Sequence, residues 1–303
     1  MADLKVKIAG VPFENPLIGA SGTVGFGHEY AEFYPLSTLG GISCKGITLK
    51  ERPGNPPPRI AETPAGMLNS VGLQNPGVEH FIREDLPWLK QQGTAVIANI
   101  AGSTPEDYCA MAERLSGTDI DMIELNISCP NVKAGGAQFG VTPQGVESIT
   151  AEVRKHCTKP LMVKLTPNVA DIAENAAAAE AAGADAVSLI NTLTGMRIDI
   201  HTRRPVLRNN TGGMSGPAVF PVAVRMVWQT AQRVKIPVVG LGGISTWQDA
   251  VEMMLAGAAA FQVGTAFFTD PYAPVKILKG LDEYLNQNKI ASVTELTGKV
   301  KPW

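Results

Sequence analysis

The chain has 303 residues, and its 26 lysines and arginines nearly balance its 28 aspartates and glutamates, so its formal net charge is −2. This charge argues against nucleic-acid binding, which usually needs a basic face, and the aromatic content of 6% argues against a stacking platform for single strands. A chain of this length can bury a large core without disulfides, and one α/β barrel of about 250 residues would account for most of it.

The four cysteines, Cys44, Cys109, Cys129 and Cys157, are scattered and form no CxxC pair. This spacing predicts no metal site in the chain and favours a reducing, cytoplasmic location. The longest uncharged apolar run, residues 253–269, is shorter than the roughly 20 residues of a membrane span, and the charged N-terminus does not resemble a signal peptide. We therefore expect no membrane contact.

Short apolar or β-branched runs alternate with longer amphipathic runs along the chain, which indicates strands and helices in turn. The predicted strands are Pro16–Ala20, Gly40–Lys45, Thr94–Ile100, Met122–Ile127, Leu161–Leu165, Ala186–Ile190, Pro237–Leu241 and Ala260–Gly264. The predicted helices are His28–Ser37, Val78–Gln91, Pro105–Leu115, Pro143–His156, Val169–Ala181, Ala218–Arg233, Trp247–Leu255 and Pro274–Asn286.

Several of these helices have clear end signals. Thr104, Thr142 and Thr246 precede first turns as N-caps, and the first two are followed by proline at N1. Gly183 and Gly257 follow helices, where glycine commonly ends them. Apolar strands that alternate with helices predict a parallel sheet that is covered on both faces.

The number of units decides between two α/β architectures. Eight strand–helix units in about 270 residues predict a (β/α)8 TIM barrel, whereas six strands would suffice for a doubly wound sheet. We therefore predict one barrel domain over residues 1–303. Three long connections, residues 46–77, 128–141 and 191–217, would gather at the C-terminal face, where active sites of barrels lie. Residues 4–15 would form a short hairpin that plugs the bottom.

Polar or glycine residues end the apolar strands. Burying so many polar groups without partners would be costly, so we interpret them as the lining of one ligand site rather than as separate caps and turns. In chain order they are Ser21, Lys45, Asn99, Asn126 with Cys129, Lys164, Asn191 with Thr192, Gly242 with Gly243, and Gly264 with Thr265.

The last two strands end in glycine-rich segments, at Gly240–Ser245 and Val263–Thr265. Barrels commonly bind phosphate at this place through backbone N–H groups, which predicts a phosphorylated cofactor or substrate. No GxGxxG follows a strand and opens a helix, so we expect no Rossmann-type nicotinamide site. Hydride chemistry would then need a flavin mononucleotide or a similar ligand in the barrel mouth.

Two side chains at the strand ends are candidates for chemistry. Lys164 could form a Schiff base, as in an aldolase, or stay charged and stabilise an anion such as a reduced flavin. It could also merely neutralise a buried carboxylate. Cys129 lies on a turn before Pro130, at the root of a glycine-rich loop, and a thiol with a pKa near neutrality could act there as a general base.

Six segments form a pattern in chain order: Cys44–Gly46 (CKG), Met67–Asn75 (MLNSVGLQN), Asn126–Asn131 (NISCPN), Val163–Thr166 (VKLT), Gly242–Ile244 (GGI) and Val263–Thr265 (VGT). Together they resemble class 1 dihydroorotate dehydrogenases over essentially the whole chain. Cys129 is typical of the soluble class 1 enzymes, since the membrane-bound class 2 enzymes have serine there. Residues 131–140 (NVKAGGAQFG) resemble the class 1B catalytic subunit, whereas class 1A homodimers tend to have a proline-containing stretch.

This resemblance implies oxidation of (S)-dihydroorotate to orotate in UMP biosynthesis, with Cys129 taking the C5 proton and a hydride passing from C6 to FMN. It also implies that Lys164 stabilises the reduced flavin and that Lys45 reaches both FMN and substrate. The implied substrate-binding residues are Lys45, Asn69, Ser70, Val71, Gly72, Leu73, Asn126, Asn131, Asn191 and Thr192. The implied FMN-binding residues are Ser21, Lys45, Gly46, Asn99, Asn126, Lys164, Ile190, Gly216, Gly242, Gly243, Gly264 and Thr265.

The resemblance to class 1B further implies a partner subunit that carries FAD and a 2Fe–2S cluster, with NAD⁺ as the final acceptor and two copies of each chain in a heterotetramer. The sequence agrees, because it has neither a cysteine cluster nor a dinucleotide fingerprint. The alternatives are a class 1A-like homodimer that reduces fumarate, a flavoprotein that acts on uracil-type bases, a cofactor-free Schiff-base aldolase and a non-catalytic scaffold.

Overall fold

The computed structural model describes residues 2–128 and 137–303. Its strands are β1 (Val6–Ile8), β2 (Val11–Phe13), β3 (Leu17–Gly19), β4 (Gly41–Ser43), β5 (Ile60–Thr63), β6 (Gly66–Asn69), β7 (Ala95–Ile100), β8 (Met122–Asn126), β9 (Leu161–Lys164), β10 (Ala186–Leu189), β11 (Leu193–Gly195), β12 (Ile198–Asp199), β13 (Arg204–Pro205), β14 (Gly212–Ser215), β15 (Val238–Leu241) and β16 (Ala260–Val263). Its α-helices are α1 (Val78–His80), α2 (Leu86–Lys90), α3 (Pro105–Ser116), α4 (Ala137–Gly140), α5 (Pro143–His156), α6 (Ile172–Ala181), α7 (Phe220–Arg233), α8 (Trp247–Ala256), α9 (Ala266–Thr269) and α10 (Ala273–Gln287). None of the described helices is long and apolar enough to cross a membrane.

Eight parallel strands of the described chain close into a barrel, in the order β3, β4, β7, β8, β9, β10, β15, β16 and back to β3. Each of them lies within one of the predicted strands, so the TIM-barrel prediction is confirmed. Almost all of their side chains are buried, because helices cover the outer face and side chains fill the interior.

The predicted N-caps also form. The Thr104 side chain accepts the N–H of Asp107 at the start of α3, and the Asp107 carboxylate accepts the N–H of Thr104 in return. Thr246 and Asp249 make the same reciprocal pair at α8. Each pair satisfies N–H groups that the first helical turn leaves without partners, and this fixes where the helix begins.

Two predicted helices are not continuous α-helices. The segment His28–Ser37 contains only short 3-10 turns, because Pro35 lacks an N–H and disfavours a helical conformation at Tyr34. The helix predicted over Val78–Gln91 is interrupted by a π-helical segment between α1 and α2. This segment precedes Pro87, which cannot donate a regular helical hydrogen bond.

The helix predicted from Val169 begins three residues later, as α6, because its N-cap is Asp171. The Asp171 carboxylate accepts the N–H groups of Ala173 and Glu174, so Asp171 is the N-cap.

The N-terminal hairpin of β1 and β2 lies at the bottom of the barrel, as predicted. The Phe13 ring is buried so close to Gly41 that a Cβ on Gly41 would lie 2.8 Å from it. The Asn15 side-chain oxygen accepts the N–H groups of Leu17 and Gly40, each at 3.1 Å, and joins the hairpin to the first two barrel strands.

The long connections form a second sheet that the sequence analysis did not predict. Its antiparallel strands have the order β11, β14, β6 and β5. The connection after β4 supplies β5 and β6, and the connection after β10 supplies β11 and β14. Two distant loops are therefore held together over the C-terminal end of the barrel.

We expect Gly40→Ala to lower the free energy of unfolding by more than about 3 kcal/mol, because overpacking against rigid atoms is costly. The new Cβ would lie 1.9 Å from the Asn15 carbonyl oxygen, and a backbone atom cannot turn away as a side chain can. Gly117→Ala is the matched control, since its Cβ would meet nothing closer than 3.6 Å. Urea unfolding measures both variants, and equal losses in the two would contradict the account.

Candidate active site

A cleft of about 280 Å³ lies between the C-terminal ends of the barrel strands and the second sheet. The structure brings most of the predicted site residues together in its wall. They are Ser21, Lys45, Gly46, Asn69, Val71, Gly72, Leu73, Asn126, Lys164, Ile190, Asn191, Thr192, Gly242, Gly243, Gly264 and Thr265.

Three of the described predicted residues do not line this cleft. Asn99 lies beneath Asn126, whose amide donates to its side-chain oxygen at 3.3 Å. Ser70 is fully buried, and its hydroxyl has no hydrogen-bond partner among the described residues. Gly216 lines an adjoining pocket that also includes Gly243. Two further predicted residues lie outside the described part of the chain: Cys129 and Asn131.

A buried ion pair lies under the cleft. Glu124, in the middle of β8, has no solvent exposure, and Lys164 at the end of β9 is almost as deeply buried. The Lys164 Nζ atom is 3.6 Å from Glu124 Oε2 and donates to Gln262 Oε1 at 3.4 Å. Burial alone would raise the pKa of Glu124, but the charge of Lys164 and three hydrogen bonds outweigh it and hold that pKa below its ordinary value.

This geometry combines two of the three roles considered for Lys164. The lysine pairs with a buried carboxylate, and it also lines the cleft, where it can hold an anion. The third role, a Schiff base, would require Lys164 as a nucleophile, whereas the structure shows it paired with the Glu124 carboxylate.

A chain of hydrogen bonds runs from Glu124 across the floor of the cleft. Asn99 donates to Glu124 Oε2 at 2.5 Å and accepts from Asn126. The Asn126 oxygen accepts the Ser128 hydroxyl at 2.8 Å, and the same hydroxyl accepts the Asn191 amide at 2.7 Å. The amides therefore have fixed directions before any ligand enters.

The segment that includes Ser70 and Leu73 is held from behind by the proline-rich loop. The Asn55 amide donates to the Ser70 carbonyl at 2.9 Å, and the Asn55 N–H donates to the Val71 carbonyl at 2.9 Å. The buried Asn75 donates to the Leu73 carbonyl at 2.7 Å. These contacts leave one side of the segment facing the cleft.

The opposite end of the cleft is built from the glycines that end β15 and β16. Gly243 has a φ of +81°, and a Cβ there would lie 2.7 Å from the Gly216 carbonyl oxygen. Within the described residues, the N–H groups of Gly243 and Gly264 donate to no acceptor. Accessible, unpaired N–H groups at this place suit an anion such as a phosphate.

The sequence analysis missed two polar residues of this site, Glu124 and Gln262. Both lie inside barrel strands rather than at their ends, and Gln262 lines the cleft. The signal was available: each is a single polar or charged residue in an apolar strand, where burial requires a partner.

One group of described side chains could hold a metal ion, and none of its members lines the cleft. The ligand atoms of Cys109, Glu152 and His156, on α3 and α5, lie within 4.8 Å of one another. The Glu152 carboxylate already accepts Lys155 at 2.6 Å. Nothing else among the described residues points to an ion there.

The fold and the cleft define a TIM-barrel protein with a polar, glycine-rich cleft at the carboxyl ends of its strands. A family model described as dihydroorotate dehydrogenase matches residues 3–285. The chain belongs to the dihydroorotate dehydrogenase family.

Its relatives are similar along their whole length. The chain is 55% identical over 298 residues to a protein of Alkaliphilus oremlandii, covering 98% of this chain and 99% of the relative. It is 55% identical over 302 residues to a protein of Bacteroides fragilis, covering 99% of this chain and all of the relative. Both relatives are named dihydroorotate dehydrogenase B (NAD(+)), catalytic subunit.

The lowered pKa of Glu124 predicts how its contribution to stability depends on pH. The ionised carboxylate stabilises the fold above the unfolded pKa of about 4.3, and this stabilisation is lost as the pH falls through the lower folded value. We therefore expect the difference in unfolding free energy between wild type and Glu124→Gln to shrink as the pH falls from about 6 to about 3. Urea unfolding at several pH values measures it, with the exposed Glu113→Gln as control. A constant difference would contradict the assignment.

Proposed function

We propose that this chain oxidises (S)-dihydroorotate to orotate in UMP biosynthesis, as the FMN-dependent catalytic subunit of an NAD⁺-linked dihydroorotate dehydrogenase. The observation that carries the proposal is the composition of the cleft, which combines the Lys164 charge, a row of asparagine amides and a glycine-rich anion site. The names of the full-length relatives support the same reaction.

FMN fits the cleft on the chemistry of its donors. The unpaired N–H groups of Gly243 and Gly264 suit the phosphate, and Thr265 and Ser215 hydroxyls lie beside them, 2.8 Å apart. Lys164 and Lys45 line the same cleft and add positive charge to its wall. When bound, FMN supplies the two-electron acceptor for the substrate. The predicted FMN-binding residues Ser21, Gly46, Asn99, Ile190, Gly216 and Gly242 belong to this proposal.

The substrate is held by amides of both polarities. Dihydroorotate presents N–H donors, carbonyl acceptors and a carboxylate, and asparagine side chains can match the first two. We assign this role to Asn69, Asn126, Asn131 and Asn191. The neighbouring Thr192 and the segment from Ser70 to Leu73, with Val71 and Gly72, complete the pocket, and Lys45 pairs with charge on the substrate.

Proton removal is assigned to Cys129, which directly follows the buried Ser128 in the chain. A thiolate near the substrate C5 can take one proton as a general base and becomes a neutral thiol. Lys164 keeps a positive charge at the floor of the cleft, where it favours negative charge on whatever lies above it.

A separate electron-transfer subunit completes the proposed enzyme. The relatives are called catalytic subunits, which implies a second subunit for them, and their names specify NAD⁺ rather than fumarate. We assign FAD and a 2Fe–2S cluster to that partner, in a heterotetramer with two copies of each chain. A cytoplasmic location and a single FMN-binding domain over residues 1–303 are further parts of the proposal.

The visible spectrum of the purified chain tests the proposal. We expect flavin absorbance that is bleached by anaerobic dihydroorotate and is not restored by NAD⁺ until the electron-transfer subunit is added. The reason is that the sequence has neither a cysteine cluster nor a dinucleotide fingerprint for that step. Absent flavin, or flavin that dihydroorotate leaves oxidised, would contradict the proposal. Rapid reoxidation by fumarate would favour the class 1A alternative, and trapping by borohydride would favour an aldolase.

Cys129→Ala should retain FMN but lose dihydroorotate oxidation near neutral pH by at least about 100-fold, the usual range for loss of a general base. Single-turnover bleaching of the flavin measures the loss without the partner subunit. Cys109→Ala is the control, because Cys109 is buried in α3 and lines no part of the cleft. Full activity in Cys129→Ala would rule out the general-base role.

A further inference from the structure

A carboxylate beneath the cleft contacts the groups that form its floor. Glu124 Oε2 accepts from Ser43 at 2.6 Å and from Asn99 at 2.5 Å, and Oε1 accepts from Ser188 at 2.7 Å and from Gln262 at 2.8 Å. With Lys164, its partners come from β4, β7, β9, β10 and β16. Glu124 does not line the cleft, whereas Lys164 and Gln262 do.

The charge of Glu124 fixes the directions of the amides around it. An ionised carboxylate can only accept hydrogen bonds, so Asn99 and Gln262 must turn their NH₂ groups toward it. The Asn99 oxygen is then left for Asn126, and the Gln262 oxygen is left for Lys164. A glutamine in place of Glu124 would carry its own NH₂ group. The side-chain amide of Asn99 or of Gln262 would then have to turn around.

The hydrogen-bond direction that Glu124 sets extends to the substrate-facing side of the cleft. Because the Asn126 NH₂ group donates to Asn99, its oxygen faces Ser128. The Ser128 hydroxyl donates to that oxygen and therefore accepts from Asn191. The Asn191 oxygen in turn accepts the Thr192 N–H at 2.7 Å.

Lys164 is the cation that pairs with Glu124. Of the described groups that act on its carboxyl, Lys164 carries the positive charge, and Ser43, Ser188 and Asn99 are neutral donors. The nearby Cys44 thiol is fully buried, and burial and then the negative charges of Asp85 and Glu124 raise its pKa, so it stays neutral. Lys164 is thus the charged group that loses its counter-charge when Glu124 is replaced by a neutral residue.

We propose that Glu124 is a positioning residue: its ionised carboxylate holds the Lys164 ammonium at the floor of the cleft and sets the direction in which the cleft amides meet an anionic, amide-bearing ligand. The inference rests on the proposed function, which identifies that ligand as orotate.

The test is the pH dependence of orotate affinity in the FMN-loaded chain, followed by flavin difference spectra between about pH 6 and pH 9. In Glu124→Gln the buried ammonium has lost its counter-charge, and burial without a counter-charge disfavours the charged form of a lysine. As the pH rises, the orotate affinity of this variant should fall at least about tenfold further than that of the wild type. The reason is that the cation that attracts the anionic ligand is lost.

Three further variants separate positioning from general structural damage. Ser43→Ala removes one hydrogen bond to the same carboxylate but leaves its charge, so its pH profile should match wild type. Glu124→Asp retains the charge and should restore the wild-type profile even if it binds orotate more weakly. Glu124→Gln/Lys164→Met should lose the added pH step. A Glu124→Gln profile that parallels wild type would overturn the proposal.

Stability measurements provide a test that needs no ligand. If Glu124→Gln fails to fold, the cause should be its unpaired ammonium, and Glu124→Gln/Lys164→Met should recover a folded barrel by circular dichroism and thermal unfolding. An unfolded double variant would overturn the proposal. If the wild-type chain binds neither FMN nor orotate, the proposed function fails. The stability of the double variant would still decide whether Glu124 and Lys164 depend on each other for their burial.

Discussion

An ionised carboxylate inside a barrel is tolerated only if its oxygens accept hydrogen bonds and its charge is paired with a cation. The arrangement of the cleft depends on how Glu124 meets this requirement. Serine hydroxyls, two amides and Lys164 surround it, each from a different strand. The side chains that satisfy the carboxylate are therefore fixed in place, and three of them connect directly to the ligand-facing surface.

The second sheet gives the cleft its other wall. A barrel mouth alone is open to water, but β6 and β14 pair across two long connections, with Asn69 opposite Gly213 in the register. This pairing brings Asn69 over strand ends that are distant in sequence. The same loops are held down by Asn55 and Asn75, so the cleft is bounded on both sides by hydrogen-bonded backbone. A site of this kind can exclude water and fix its polar groups before a ligand binds.

Much of the fold could be predicted from sequence because its signals are local. Apolar runs mark the barrel strands, and a threonine before the first turn marks several helices. The helix predicted over His28–Ser37 was wrong because amphipathic spacing was given more weight than Pro35. The second sheet could not be predicted from pattern, since segments such as Gly212–Ser215 are short, rich in glycine and paired only with distant residues.

Part of the site could also be predicted from sequence, because some of its residues have a local signal. Residues at strand ends, such as Lys164 and Asn126, stand out where an apolar run stops. Glu124 lies inside an apolar strand. Strand periodicity alone does not predict that its side chain contacts donors from five other strands. That convergence is a property of barrel closure, which only the three-dimensional arrangement reveals.

The central claim is that this one cleft binds both FMN and the pyrimidine above the Glu124–Lys164 pair. A crystal structure of the chain with FMN and orotate tests it most directly. The account predicts the phosphate at the N–H groups of Gly243 and Gly264, orotate among the asparagine amides, and Lys164 between Glu124 and the flavin. Either ligand bound elsewhere, or Lys164 turned away from the flavin, would contradict it.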